Sequence, residues 1–118
     1  MTCAVIVQKE ETNLAEWARW HLRECGFGAI VMFCDGKKPE LPDDVARNVI
    51  LADAPSGGQA VQFASYNAFM LDFSARFSAA MFIDADEYLN LHGVTVGEWL
   101  EKAPKAPVHS FNWVMYGS

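Results

Sequence analysis

The chain has only three cysteines, Cys3, Cys25 and Cys34, and none stands beside a second cysteine or a histidine at the spacing that holds zinc. An odd, sparse set excludes a disulfide framework and reads as small buried hydrophobes in a reducing compartment. Clustered positive charge is missing as well. Nine Lys and Arg are scattered among fifteen Asp and Glu, the formal net charge is -6, and Lys37-Lys38 is the one adjacent basic pair. A nucleic-acid backbone is neutralised by dense cations, so no nucleic acid is expected as a partner. Long apolar runs are absent too. Met1 to Val7 has no basic leader and is too short for a signal peptide or a membrane span, so no transmembrane segment is expected and the cytoplasm is the expected compartment. There is no low-complexity tract.

What remains is the composition of a folded globule, 52% hydrophobic and 20% charged over 118 residues, enough for one domain. Cys3 to Val7 is short and β-branched and reads as a buried first strand. Asn13 followed by Glu16 is a capping-box pattern, and Leu14, Trp17, His21, Leu22 and Cys25 recur at helical spacing up to Gly26, which predicts one amphipathic helix. Ala29 to Cys34 is a second strand ending at Asp35-Gly36, Pro39 and Pro42 mark a loop, and Asn48 to Leu51 is a shorter third strand. Ser56 to Phe77 reads as a long helix with Phe63, Asn67, Met70, Leu71 and Ser74 on one face. Ala79 to Ile83 is a fourth strand running into Asp84. Thr95 and Glu98 open a short helix that ends before Pro104, and Val108 to Met115 reads as a fifth strand.

Alternating strands and helices of these lengths predict an α/β fold, a mainly parallel, Rossmann-like sheet in the order 3-2-1-4 with helices on both faces. Ligands in such sheets sit at the carboxyl ends of the strands. The residues there are Gln8-Lys9-Glu10-Glu11, Asp35-Gly36, Asp53 and Asp84-Ala85-Asp86-Glu87. Every one of the four strand ends carries a carboxylate. In an extended chain residues i and i+2 point the same way, about 6–7 Å apart, so Asp84 and Asp86 are expected to address one site. Like charges held together call for a cation, and an all-oxygen pair suits Mg²⁺ or Mn²⁺ completed by waters and substrate phosphates. A reaction in which a diphosphate leaves would use such a cation; two acidic residues after a strand can also be no more than a solvated turn.

Five patches in order resemble the glycosyltransferase family 2-like group of GT-A proteins, the branch with a Lys-Asn-Glu start and an Asp-x-Asp-Glu-Phe centre. They are VIVQKEETNLAEWARWH (5–21), residues 26–36, QFASYN (62–67), FIDADEYL (82–89), and FNW (111–113) with YGS (116–118). The resemblance implies a GT-A domain over 1–118 that binds a nucleoside-diphosphate sugar donor, with Glu10, Asp35 and Gln62 on the nucleotide, Asp84 on ribose and metal, and Asp86 on the metal. The acceptor it implies is a carbohydrate or a lipid-linked molecule, otherwise unspecified. Family members continue into the acceptor site and the usual catalytic base, so the chain reads as truncated at its C-terminus. No base is assigned, and the isolated chain is expected to bind donor and transfer little sugar.

Two other readings stay open. An Asp-x-Asp after an apolar strand also opens the haloacid dehalogenase-like phosphatases, although there it follows the first strand. A degenerate transferase domain acting as a non-catalytic binding module is the other. His21 shares the apolar face of its helix with Trp17 and Cys25 and reads as a satisfied core histidine rather than an acid-base group. Trp20, Trp99 and Trp113 read as packing residues.

Overall fold

The structure is a computed structural model and describes residues 1–9, 11–55, 61–103 and 105–106. Strand β1 (Thr2–Gln8) lies in the middle of a four-stranded sheet with β2 (Ala29–Cys34), β3 (Val49–Asp53) and β4 (Ala79–Phe82), in the order β3-β2-β1-β4. All three pairings are parallel. The fold is α/β with a Rossmann-like parallel sheet.

The two inner strands are apolar at consecutive positions because both of their faces are covered. Ala4, Ile6, Ile30 and Met32 point to one face, where they meet Leu14, Trp17 and Ala18 of helix α1 (Leu14–Arg19), Val45 of α2 (Asp43–Ala46) and Val96 of α4 (Val96–Lys102). Cys3, Val5, Val31 and Phe33 point to the other, against Phe69 of α3 (Val61–Asp72) with Tyr66 and Phe73. Strand β4 pairs only with β1 among the described residues, and its side chains alternate between half-buried and exposed, as on an edge.

Several local expectations are corrected. The helix after Asn13 is α-helical only to Arg19, and residues Trp20–Glu24 form a π-helical turn. Asn13 makes no side-chain cap; its amide instead donates to the Tyr88 hydroxyl at 3.2 Å. The capping box that does form is the one at Thr95 and Glu98, which opens α4. The apolar residues of the face singled out on the long helix stand toward solvent. Phe63, Met70 and Leu71 are 72%, 56% and 86% exposed, while Ser65 and Phe69 are buried. Both stripes have helical period, and the sheet takes the one carrying Phe69. A four-residue helix, α2, stands where the sequence predicts a loop, because it is too short to show a period and follows Pro42. Strand β3 runs two residues further than expected, to Asp53. Residues 56–60 at the start of the expected long helix, and the expected fifth strand with His109 and Trp113, lie outside the described residues.

One consequence of this topology places the site. From β1 the chain steps outward to β2 and then β3, with α1 and α2 on one face. It then crosses back over the opposite face through α3 to lay β4 on the other side of β1. The strand order therefore reverses at β1, with β2 reached through α1 on one face and β4 reached through α3 on the other, and a crevice opens at the carboxyl ends of β1 and β4.

Candidate functional site

The crevice is an open cleft of about 440 Å³, lined by Val7, Gln8, Lys9 and Glu11 after β1, Asp35 after β2, Val61 and Gln62 at the start of α3, and Asp84, Ala85 and Asp86 after β4. Of the residues singled out in the sequence, Asp35, Gln62, Asp84 and Asp86 come together there. Glu10 lies outside the described residues. Asp53, at the end of β3, is not part of the lining and pairs with Lys38 at 3.6 Å. Glu11 and Lys9 complete the rim, the Lys9 backbone N–H donating to the Glu11 carboxylate at 2.7 Å.

Asp84 and Asp86 reach the cleft by a route other than the extended chain expected. Strand β4 stops at Phe82, and Asp84 to Glu87 form a reverse turn in which the Glu87 N–H donates to the Asp84 carbonyl at 3.0 Å. The Glu87 carboxylate closes it by accepting from the Asp84 N–H at 3.0 Å. Within that turn Ala85 is buried and both aspartates are exposed, so the apolar residue is the anchor and the two carboxylates stand outward.

Gln62 ties α3 to this turn. Its side-chain NH₂ donates one hydrogen to Asp84 Oδ1 and the other to the Tyr66 hydroxyl, each at 2.9 Å. Burial raises the Tyr66 pKa above its ordinary value, the Gln62 hydrogen bond pulls it down, and the charges of Asp84 and Glu87 add to the rise. The hydroxyl therefore stays protonated at neutral pH and keeps a proton to donate.

The carboxylates of Asp35 and Asp86 accept no hydrogen bond and join no ion pair among the described residues. Among the described residues this one cleft is lined by four carboxylates, Glu11, Asp35, Asp84 and Asp86, against a single ammonium, Lys9. No group of three or more His, Cys, Asp or Glu side chains converges as a ready-made metal cage among the described residues. Two outward carboxylates on one turn, with open space beside them, are nonetheless a donor set that Mg²⁺ or Mn²⁺ accepts, since these ions usually take one or two protein carboxylates and leave the rest of the shell to water and phosphate.

Comparison with family models, curated proteins and solved structures returned no significant match for this chain. No helix among the described residues is long and apolar enough to cross a membrane.

The underside of the acidic turn is built from α1 and its π-helical continuation, and the sequence reading missed this. Trp17 Nε1 donates to the Glu87 carbonyl at 2.8 Å, while Trp20 Nε1 and the Cys25 thiol both donate to the Leu89 carbonyl, at 2.7 and 3.2 Å. His21 is fully buried, with Nδ1 2.9 Å from the Trp17 carbonyl and Nε2 accepting from the Leu89 N–H at 3.2 Å. The second contact requires an unprotonated Nε2, so the neutral ring carries its hydrogen on Nδ1 and donates it to Trp17. Burial pulls the His21 pKa down to about 4, with the Trp17 hydrogen bond opposing the shift. Both ring nitrogens are occupied, which makes His21 the satisfied core residue its helical position suggested. The available signal was the chemistry of this helix face: two indoles, an imidazole and a thiol all bring polar tips, and buried tips need partners.

Proposed function

We propose that the cleft binds a nucleoside-diphosphate sugar together with Mg²⁺ or Mn²⁺, and that the chain is the donor-binding part of a GT-A-type glycosyltransferase. The observation that carries this reading is the meeting of Asp84 and Asp86, on one turn after β4, with Asp35 and Gln62 at the topological switch between β1 and β4. The resemblance of FIDADEYL and the other four patches to family 2-like transferases supports it independently.

Asp84 and Asp86 would hold the ion, and Gln62 fixes one oxygen of Asp84 by donating to it. Bound there, the ion would supply charge neutralisation for a departing diphosphate. Asp35, after β2, would accept hydrogen bonds from the base or ribose of the nucleoside. The cleft's own charge makes the ion a requirement. A diphosphate brought among four carboxylates and one lysine is repelled at every approach unless a divalent cation lies between.

The test is calorimetric titration with UDP, GDP and their sugars, with and without Mn²⁺, on the wild type and on Asp86→Ala. Metal-dependent binding that disappears in the variant supports the proposal. Equal affinity with and without metal counts against it, and so does binding of a polyamine in place of any nucleotide, which would mean that the acidic cleft takes organic cations.

A further inference from the structure

The chain has no helix or strand between Phe82 and Val96, and the cleft carboxylates Asp84 and Asp86 sit inside that stretch. The last sheet bond before them is the Ile83 N–H donating to the Val5 carbonyl at 3.0 Å. The turn's internal bonds close it on itself but do not fix where it points. Gln62 of α3 reaches only the side chain of Asp84, whereas the external ties to the turn's backbone run to one place, the side chains of α1 and the π turn, which bond it at Glu87 and Leu89. Of these, only His21 accepts from the stretch; Trp17, Trp20 and Cys25 donate to it. Leu89 thus has both its carbonyl and its N–H held by a single helix.

We propose that α1 and its π turn act as a clamp that orients the acidic turn toward the cleft, with His21 as the positioning residue at its centre. The π-helical turn is part of the device. It brings Trp20, His21 and Cys25 to bear on Leu89 alone, and π-helical insertions recur where a helix must present side chains to a site. Tyr88 closes the arrangement from outside, stacked on the His21 ring at 5.8 Å and edge-on to Trp20 at 6.2 Å. His21 touches none of the cleft carboxylates. Its effect passes through Leu89 to residues three and five positions earlier in the chain, Asp86 and Asp84.

The affinity readout rests on the proposed metal and nucleotide binding; amide exchange does not. His21→Leu removes the acceptor for the Leu89 N–H at similar volume. His21→Gln returns an amide oxygen to the region of Nε2. Trp20→Phe deletes only the indole donor, at a half-buried position where folding is less at risk. Phe69→Leu weakens the core on the opposite face of the sheet and serves as the control. For His21→Leu and Trp20→Phe we expect faster amide exchange across residues 84–89 and Mn²⁺-dependent UDP affinity weakened by about tenfold, the scale at which losing an orienting partner impairs a metal site. His21→Gln should recover most of both, and Phe69→Leu should change neither. Wild-type exchange at 84–89 in His21→Leu, or equal losses in Phe69→Leu, would overturn the clamp. If the wild type binds neither Mn²⁺ nor UDP, the proposed function fails, and exchange at 84–89 still decides the clamp by the same criterion.

Discussion

Acidification below neutrality should destabilise this protein through His21 before its carboxylates begin to protonate in bulk. In the unfolded chain the imidazole has its ordinary pKa of 6.5, and in the folded protein burial holds it at about 4. Between those values the unfolded state binds a proton that the folded state refuses. Stability from this residue is fully present above 6.5, falls as pH drops below 6.5, and is exhausted as pH passes about 4. At pH 5 the imbalance amounts to about 1.5 pKa units, or about 2 kcal/mol at 1.36 kcal/mol per unit. That is a large share of the roughly 5–15 kcal/mol that holds a domain of this size together.

The measurement is urea unfolding of wild type and His21→Gln at pH 7, 6 and 5. A glutamine cannot take up the proton, so the wild type should lose about 2 kcal/mol relative to the variant between pH 7 and 5. Any pH effect that the two proteins share cancels in the comparison. Parallel losses in the two proteins would refute the reasoning, because the ring would then be protonated as readily in the fold as out of it.

Three further outcomes follow from other parts of the fold. Gly26 ends the π turn at φ +77°, and a Cβ there would lie 3.0 Å from Thr95 Cβ, so Gly26→Ala should cost about 2 kcal/mol by urea denaturation. Thr95→Ala removes the hydroxyl that caps Glu98 N–H and should cost about 1 kcal/mol, read as a lower thermal midpoint with unchanged far-UV spectrum. Burial pushes the thiols of Cys3 and Cys25 up to about 12 and 11 and raises Cys34 as well, so none should react with a disulfide reagent at pH 8 until the protein is unfolded, when all three should.

The features legible in the sequence are those with a short physical rule behind them. Strands β1 and β2 announce themselves as consecutive apolar residues because both faces are covered, and their order with β3 and β4 follows from parallel crossovers. Thr95 and Glu98 declare their helix start because the two side chains cap each other's backbone. The gathering of Asp35, Asp84 and Asp86 follows from strand ends alone, while Gln62, at the start of α3, is implied only by the family resemblance. What escaped was set by tertiary partners. Asn13 and Glu16 spell the same box as Thr95 and Glu98, yet Asn13 turns to the Tyr88 hydroxyl, 75 residues away, and the box does not form. On α3 two helical stripes compete, and the sheet accepts the one carrying Phe69 because Val5, Val31 and Phe33 leave room for a ring there. The acidic turn departs from an extended course because Ala85 and Leu89 are drawn into the core while Trp17 and His21 hold the backbone between and beyond them.

The charge on the cleft is the strongest reason to treat it as a binding site rather than a solvated rim. Outside the cleft two acidic groups find cations, Asp44 with Arg19 and Arg23 at 2.8 Å and Asp53 with Lys38; what sets the cleft apart is that four carboxylates among the described residues share one lining. In the cleft, Asp35 and Asp86 have no such partner, and Asp84 has only the neutral amide of Gln62. Nothing in folding requires this. An Arg or Lys in place of Val61 or Gln62 at the start of α3 would relieve the repulsion at no steric cost to the core, since Val61 is only half-buried and Gln62 is exposed. On the proposed reading, a cleft that keeps like charges together in the folded state would take a cation from solution, and an anionic ligand would come with that cation.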